Sequence, residues 1–292
     1  MKIYNSQKTS RKLPIKQNYL RTMKYIFPLL LIVGFSACSP NNVTEDPSID
    51  ALYKQYGLTG NFGLFDNGQG NFLLYNKSAF KDSAYVPAST FKVFLSLVAI
   101  ETGRVNNEKE VFPYTGTPSA MEAWNRDMTF AEALQTSSEP VYREVAGRIG
   151  RDTLQHWIDT VGYAQRYGKP KIVSAPDCWH DGTLKVTGDE QLGLMKMFYF
   201  DQLPLQKRTQ RTVRSMMLTE TTTAYQLSYK TGLHVYPSGK ASGWIVGWVE
   251  ENKHPYFFSL FVQGASEKTI LENRLQLLKD ILKKQGFLEG KR

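Results

Sequence analysis

A serine and a lysine three residues apart, Ser89 and Lys92, stand at the head of the most apolar stretch that follows the chain's first seventy residues. The run Val93-Phe94-Leu95 and Leu97-Val98-Ala99-Ile100 has the length and composition of a buried helix, and Gly103 can end it. Three-residue spacing makes Ser89 and Lys92 neighbours on one helical face. Ser89 then lies at a helix N-terminus, where backbone N–H groups lack intrahelical partners and negative charge is favoured. An alkoxide, or the oxyanion of an acyl-transfer intermediate, would be stabilised there. A second Ser-x-x-Lys, Ser78-Ala79-Phe80-Lys81, is followed by Asp82 to Pro87, which looks like turn and strand; it reads as accidental.

The N-terminus is set apart by charge. Residues 1–24 hold seven Lys or Arg and no acid, and the eleven residues Tyr25 to Phe35 are apolar. That is too short to span a bilayer and suits the h-region of a signal peptide. Phe35-Ser36-Ala37-Cys38 resembles a lipobox, with Phe35 where leucine is usual, so Cys38 is expected to be lipidated and to begin the mature protein. Met23-Lys24 before the apolar run is a second candidate start. The leader carries +7 of the formal +9, leaving +2 for residues 38–292 and no case for nucleic-acid binding. With Cys38 consumed by lipid, Cys178 is left as the one free cysteine, so no internal disulfide is expected. The expected organisation is a leader over 1–37, a polar tether over 38–50 and a catalytic domain over 51–292. The expected location is periplasmic, with membrane contact only through the lipid.

Strand candidates at 61–65 and 71–75 flank Asp66-Asn67-Gly68-Gln69-Gly70, a hairpin signature. Residues 118–201 read as mostly helical. Thr129 and Glu132 form a capping box, Pro140 fits the first turn of a helix that Gly150 ends, and Asp152–Val161 is stopped by Gly162. Residues 163–185 read as loop and 188–200 as helix. Strands are expected at 227–232, 243–250 and 256–262, then a closing amphipathic helix over 271–284. Strands at both ends around a helical middle predict an α+β fold: an antiparallel sheet flanked by helices, plus a mostly helical lobe.

Further segments carry chemistry. Lys230-Thr231-Gly232 puts a cation, a hydroxyl and a residue without a side chain on a strand, which could hold a carboxylate while substrate lies alongside; the plain alternative is a solvated strand end. Ser137 sits between two helices, where its hydroxyl could relay a proton or simply cap a helix. Gly243 to Glu250 is an aromatic strand with glycine where backbones approach closely. His156, His180, His234 and His254 show no ligand spacing, so no metal is expected.

Taken in order, Tyr85 to Lys92, Glu101-Thr102-Gly103, Trp124 to Asp127, Val141 to Ala146, Trp179-x-Asp181-Gly182, Lys230-Thr231-Gly232 and Gly243 to Glu250 resemble the class D (oxacillinase-type) serine β-lactamases of the penicillin-binding-protein superfamily. The resemblance implies Ser89 as nucleophile and Lys92 as base, carbamylated by CO2 to N6-carboxylysine, with no other cofactor. It implies Ser137 as the second serine and Trp179 as the residue holding the carbamate. Lys230 and Arg274 would bind the carboxylate of a β-lactam, beside Thr231 and Gly232, and the N–H groups of Ser89 and Leu233 would form the oxyanion hole. Carbamylation has its own logic. A free lysine has a pKa near ~10.4, burial lowers it, and the neutral amine can trap CO2 as an anionic base.

The sequence departs from that pattern in three places. Glu139 replaces the Val of Ser-x-Val, and His180 replaces the Leu after Trp179. The Tyr-Gly-Asn motif survives as Tyr163-Ala164-Gln165 or as Tyr167-Gly168-Lys169. Glu139 and His180 are expected to converge on Lys92 and weaken carbamylation; their plain alternatives are a carboxylate at a helix N-terminus and an exposed loop residue. The expected activity is β-lactam hydrolysis. The alternatives are a penicillin-binding or penicillin-sensing protein that acylates but turns over slowly, and a non-catalytic lipoprotein.

Overall fold

In the computed structural model the described residues are 42–291. The leader, Cys38 and the start of the expected tether lie outside them. Seven strands form one sheet in the order β1-β3-β2-β9-β8-β7-β6. These are β1 (Val43–Glu45), β2 (Thr59–Asp66), β3 (Asn71–Tyr75), β6 (Leu218–Thr221), β7 (Gln226–Val235), β8 (Ala241–Glu251) and β9 (His254–Gly264). Every neighbouring pair is antiparallel except β1 with β3. Short β4 (Val111–Phe112) and β5 (Met128–Thr129) pair separately. The expected α+β arrangement is present.

The central strands explain the two layers. In β8, Trp244, Val246 and Trp248 face one core while Ile245 and Val249 face the other. A strand with both faces covered reads as a nearly continuous apolar run, as this one does. Helices Ile49–Gln55 and Glu267–Lys284 cover one face. The helical lobe covers the other: Phe91–Glu101, Phe130–Gln135, Glu139–Ile149, Arg151–Val161, Gly188–Tyr199 and Lys207–Met216. In Phe91–Glu101, nine of eleven residues are buried. Each large apolar one contributes roughly 1.5–3 kcal/mol relative to exposure, which fixes the helix that carries Lys92 inside the lobe.

Local signals hold where they are chemical. Thr129 and Glu132 cap each other's backbone, Gly150 and Gly162 end their helices with positive φ, and Asn252-Lys253 make the β8–β9 turn with φ of 50° and 64°. Two readings change. The tether is shorter than expected, because Val43–Glu45 adds a parallel strand to β3 and Ile49 is wholly buried. All three β1 residues are exposed, so backbone pairing and an exposed Glu45–Lys77 ion pair at 3.4 Å place the strand, and no apolar pattern announces it. Ser78 and Lys81 lie on a short helix, Lys77–Asp82, with Ser78 exposed at the surface.

Candidate active site

Ser89 is half-buried in a single 3-10 turn, Ala88–Thr90, that runs directly into the Phe91–Glu101 helix. Ala88 has φ of +49°, a conformation that costs a non-glycine residue roughly 1–3 kcal/mol and persists only where its surroundings impose it. Those surroundings are present. Trp244 Nε1 donates to the Val86 carbonyl at 3.0 Å, and Thr90 Oγ1 donates to the Pro87 carbonyl at 2.7 Å while accepting from Gln191 Nε2 at 2.8 Å. Gly232 of β7 packs on the same turn. A methyl group there would stand 2.7 Å from Pro87 O and 3.2 Å from Thr90 Cγ2. Only a residue without a side chain lets the strand approach the nucleophile this closely.

Lys92 has no exposed surface. Its Nζ donates to the Ser137 carbonyl and to Glu139 Oε2, both at 2.8 Å, and lies 5.5 Å from the Tyr142 ring centroid. Burial pulls its pKa below the ordinary lysine value, against the opposing pull of the Glu139 charge. Glu139 is the most altered carboxylate of the site. Burial raises its pKa, but His180 and Lys92 outweigh that and hold it at about 2. Its other oxygen, Oε1, faces Arg143 Nε and His180 Nε2, each at 3.6 Å. Arg143 in turn pairs with Asp177 at 2.8 Å.

Ser137 lies in the three-residue hinge between helices Phe130–Gln135 and Glu139–Ile149, with φ of +60°. Trp124 Nε1 braces that hinge by donating to the Thr136 carbonyl at 3.0 Å. The Ser137 carbonyl accepts from Lys92, and its hydroxyl accepts from Lys230 Nζ at 2.9 Å. One residue therefore links the two lysines. Lys230, 4% exposed, is held well below the usual lysine pKa by burial, then by the Lys92 and Arg274 charges. Strand β6 pairs with β7 only from Gln226 to Ser228. Beyond it, the edge carrying Lys230, Thr231, Gly232 and Leu233 has no strand partner among the described residues, and an extended ligand could lie along it.

Arg274 sits within the last helix, which begins at Glu267, earlier than expected. Its guanidinium passes Gly243, where a side chain would come within 3.3 Å of Nη1, and donates to the Gly232 carbonyl at 2.5 Å. Burial lowers its pKa to about 10. Neither Arg274 nor Lys230 pairs with a carboxylate among the described residues. Buried cations without acids are costly, and a ligand carboxylate would compensate both.

Trp179 is wholly buried, with its ring stacked 6.1 Å from Phe91, and its Nε1 has no hydrogen-bond partner among the described residues. The loop bearing it is pinned by Arg143–Asp177 and by Ser174 Oγ on Asp177. Of the two tyrosine tripeptides, Tyr163-Ala164-Gln165 borders this core. Tyr163 packs on Phe91 and Phe94 with ring centroids 5.1 and 5.0 Å apart, and Ala164 takes φ of +58°, whereas Tyr167 is largely exposed. Arg143, Asp177 and Tyr142 went unassigned in the sequence. The i,i+4 spacing of Glu139 and Arg143 is a legible signal for the first; Tyr142 reaches Lys92 and Ser96 through the packing of its helix, and Asp177 depends on the loop's path.

The sequence model of the penicillin binding protein transpeptidase domain matches residues 54–283. Beta-lactamase OXA-48 of Klebsiella pneumoniae is 31% identical over 265 residues, covering 90% of this chain and 97% of that protein. A solved class D beta-lactamase from Sebaldella termitidis superposes with a TM-score of 0.78 at 26% identity, over 86% of this chain and all of that one. The C-terminal domain of the Bacillus licheniformis BlaR penicillin-receptor does so with a TM-score of 0.78 at 26% identity, over 84% and 97%.

Proposed function

This chain belongs to the penicillin-binding-protein transpeptidase-domain family and, within it, stands with the class D serine β-lactamases; from that premise we propose that it hydrolyses β-lactams through an ester on Ser89. The observation that carries the reading is the chain of contacts Lys92–Ser137–Lys230 beside the Ser89 turn. Ser89 Oγ attacks the lactam carbonyl and gives its proton to the neutral fraction of Lys92, which burial of the amine enlarges. The developing oxyanion lies at the N–H groups of Ser89 and Leu233. The lactam C–N bond breaks, and the leaving nitrogen takes the Ser137 hydroxyl proton, which Lys230 replaces. Lys92 next gives up the Ser89 proton, which restores Lys230; the neutral amine then takes a proton from the water that attacks the ester and returns it to Ser89 Oγ as the ester bond breaks. Arg274 and Lys230 supply the cationic seat for the substrate carboxylate, with Thr231 and Gly232 lining it.

Carbamylated Lys92 belongs to this proposal as a competing state. Trp179 Nε1, a buried donor with no hydrogen-bond partner among the described residues, is suited to donate to a carbamate oxygen. Glu139 is not suited to sit beside one, since two anions would share the pocket where the amine now pairs with the carboxylate. We also propose export, cleavage before Cys38 and lipidation of that residue, with a periplasmic, membrane-tethered product. A penicillin sensor is the second reading, favoured by the likeness to the BlaR domain and by an ion pair that blunts the base.

A fluorescent penicillin and a chromogenic cephalosporin test the proposal together. Many turnovers per labelled Ser89 are expected, and Ser89→Ala should lose both label and turnover. One label without turnover selects the sensor reading; labelling of Ser89→Ala ends both.

A further inference from the structure

Resting on the hydrolase reading, we propose that Glu139 is a positioning residue that competes with CO2 for Lys92 and thereby sets how far the enzyme depends on CO2. The geometry is specific. Glu139 Oε2 occupies the amine at 2.8 Å, and the other Lys92 hydrogen bond goes to the Ser137 carbonyl, also at 2.8 Å. Both partners accept, so both favour the ammonium. The carboxylate is itself held in place. Glu139 sits in the first turn of its helix, with Arg143 and His180 at 3.6 Å from Oε1 and Asp177 fixing Arg143 from the loop. An aliphatic residue at this position would leave the buried amine with only a carbonyl.

The chemistry sets the direction of the effect. Carbamate formation joins the amine lone pair to the carbon of CO2, moves one C=O electron pair onto oxygen and releases one proton. Only the neutral amine has that lone pair. An ammonium must first give up its proton, and a carboxylate held as strongly acidic as Glu139 does not accept it. The product would also replace a cation beside Glu139 with an anion. An opposite charge at this distance moves a pKa by about 1–3 units, so removing it should raise the reactive amine fraction by about tenfold or more.

The test measures the modification itself. The mature protein, Glu139→Gln and Glu139→Val are each titrated with 13C-bicarbonate, and the lysine carbamate is read by 13C NMR. Hydrolysis is followed with and without bicarbonate, and Ser89 is labelled with fluorescent penicillin. The wild type should show little carbamate and little response to bicarbonate. The variants should carry about tenfold more carbamate at limiting bicarbonate and should gain bicarbonate-dependent turnover. Equal carbamate in all three proteins, or none in any, overturns the proposal. Full carbamate on the wild type at low bicarbonate does so without any variant, which covers variants that fail to fold. Ser89 labelling reports on the hydrolase reading separately: its loss in the wild type defeats that reading whatever the NMR shows.

Discussion

Lys230 donates a 2.9 Å hydrogen bond to the Ser137 hydroxyl, joining a strand of the sheet to the hinge of the helical lobe across the cleft between them. Ser137→Ala removes the hydroxyl from that chain. Acylation should slow by about 10²–10⁴-fold, the range for loss of a positioned proton-transfer group. Ser137→Gly should lose the same activity while relieving the φ of +60°, so its melting temperature should match or exceed that of Ser137→Ala. Stopped-flow acylation and calorimetry read the two effects. Undiminished acylation in either variant would remove Ser137 from the mechanism.

Gly232→Ala should disturb the nucleophile without touching it. The added methyl meets the Pro87 carbonyl at 2.7 Å, a backbone atom that cannot swing aside. A cost of about 1–3 kcal/mol is expected, together with slower penicillin labelling of Ser89. Labelling at the wild-type rate would mean that β7 and the Ala88–Thr90 turn separate easily.

Arg274 is buried and lacks an acid partner among the described residues. Arg274→Leu should raise KM for carboxylate-bearing substrates and change it little for their methyl esters. Arg274→Lys should restore activity only in part, because an ammonium cannot serve the Gly232 carbonyl and a ligand carboxylate with the same fork of donors. Equal KM changes for acid and ester would leave Arg274 as a support for β7 alone.

Acid stability should carry the signature of Glu139. Its pKa falls from 4.5 to about 2 on folding, so the folded state releases its proton more readily than the unfolded chain. That stabilisation is present above pH 4.5 and is lost as pH falls toward 2. Glu132, also held at about 2 by its capping box, adds to the same slope. Glu139→Gln should flatten the loss of stability over this window in urea titrations at stepped pH. An unchanged slope would mean that the Lys92 pair is already open in solution.

The sequence by itself determined the chemistry that depends on short spacing. Ser89 and Lys92 are three residues apart on one apolar helix, Thr129 and Glu132 cap their own helix, and the aromatic run of β8 could only be a strand covered on both faces. Those features are set by local geometry, although that both faces of β8 are covered is shown only by the packed cores on either side of it. The tertiary structure alone decided what the lysines touch. Glu139 is 47 residues from Lys92 and Ser137 is 93 from Lys230; the first contact arises only when two helices of the lobe pack together, the second only when the lobe closes on the sheet. Placement of β1 by backbone pairing, the choice of Tyr163 over Tyr167, and the Asp177–Arg143 anchor belong to the same class. Their composition is unremarkable, and their roles come from which long-range partner the packed core brings within hydrogen-bonding distance.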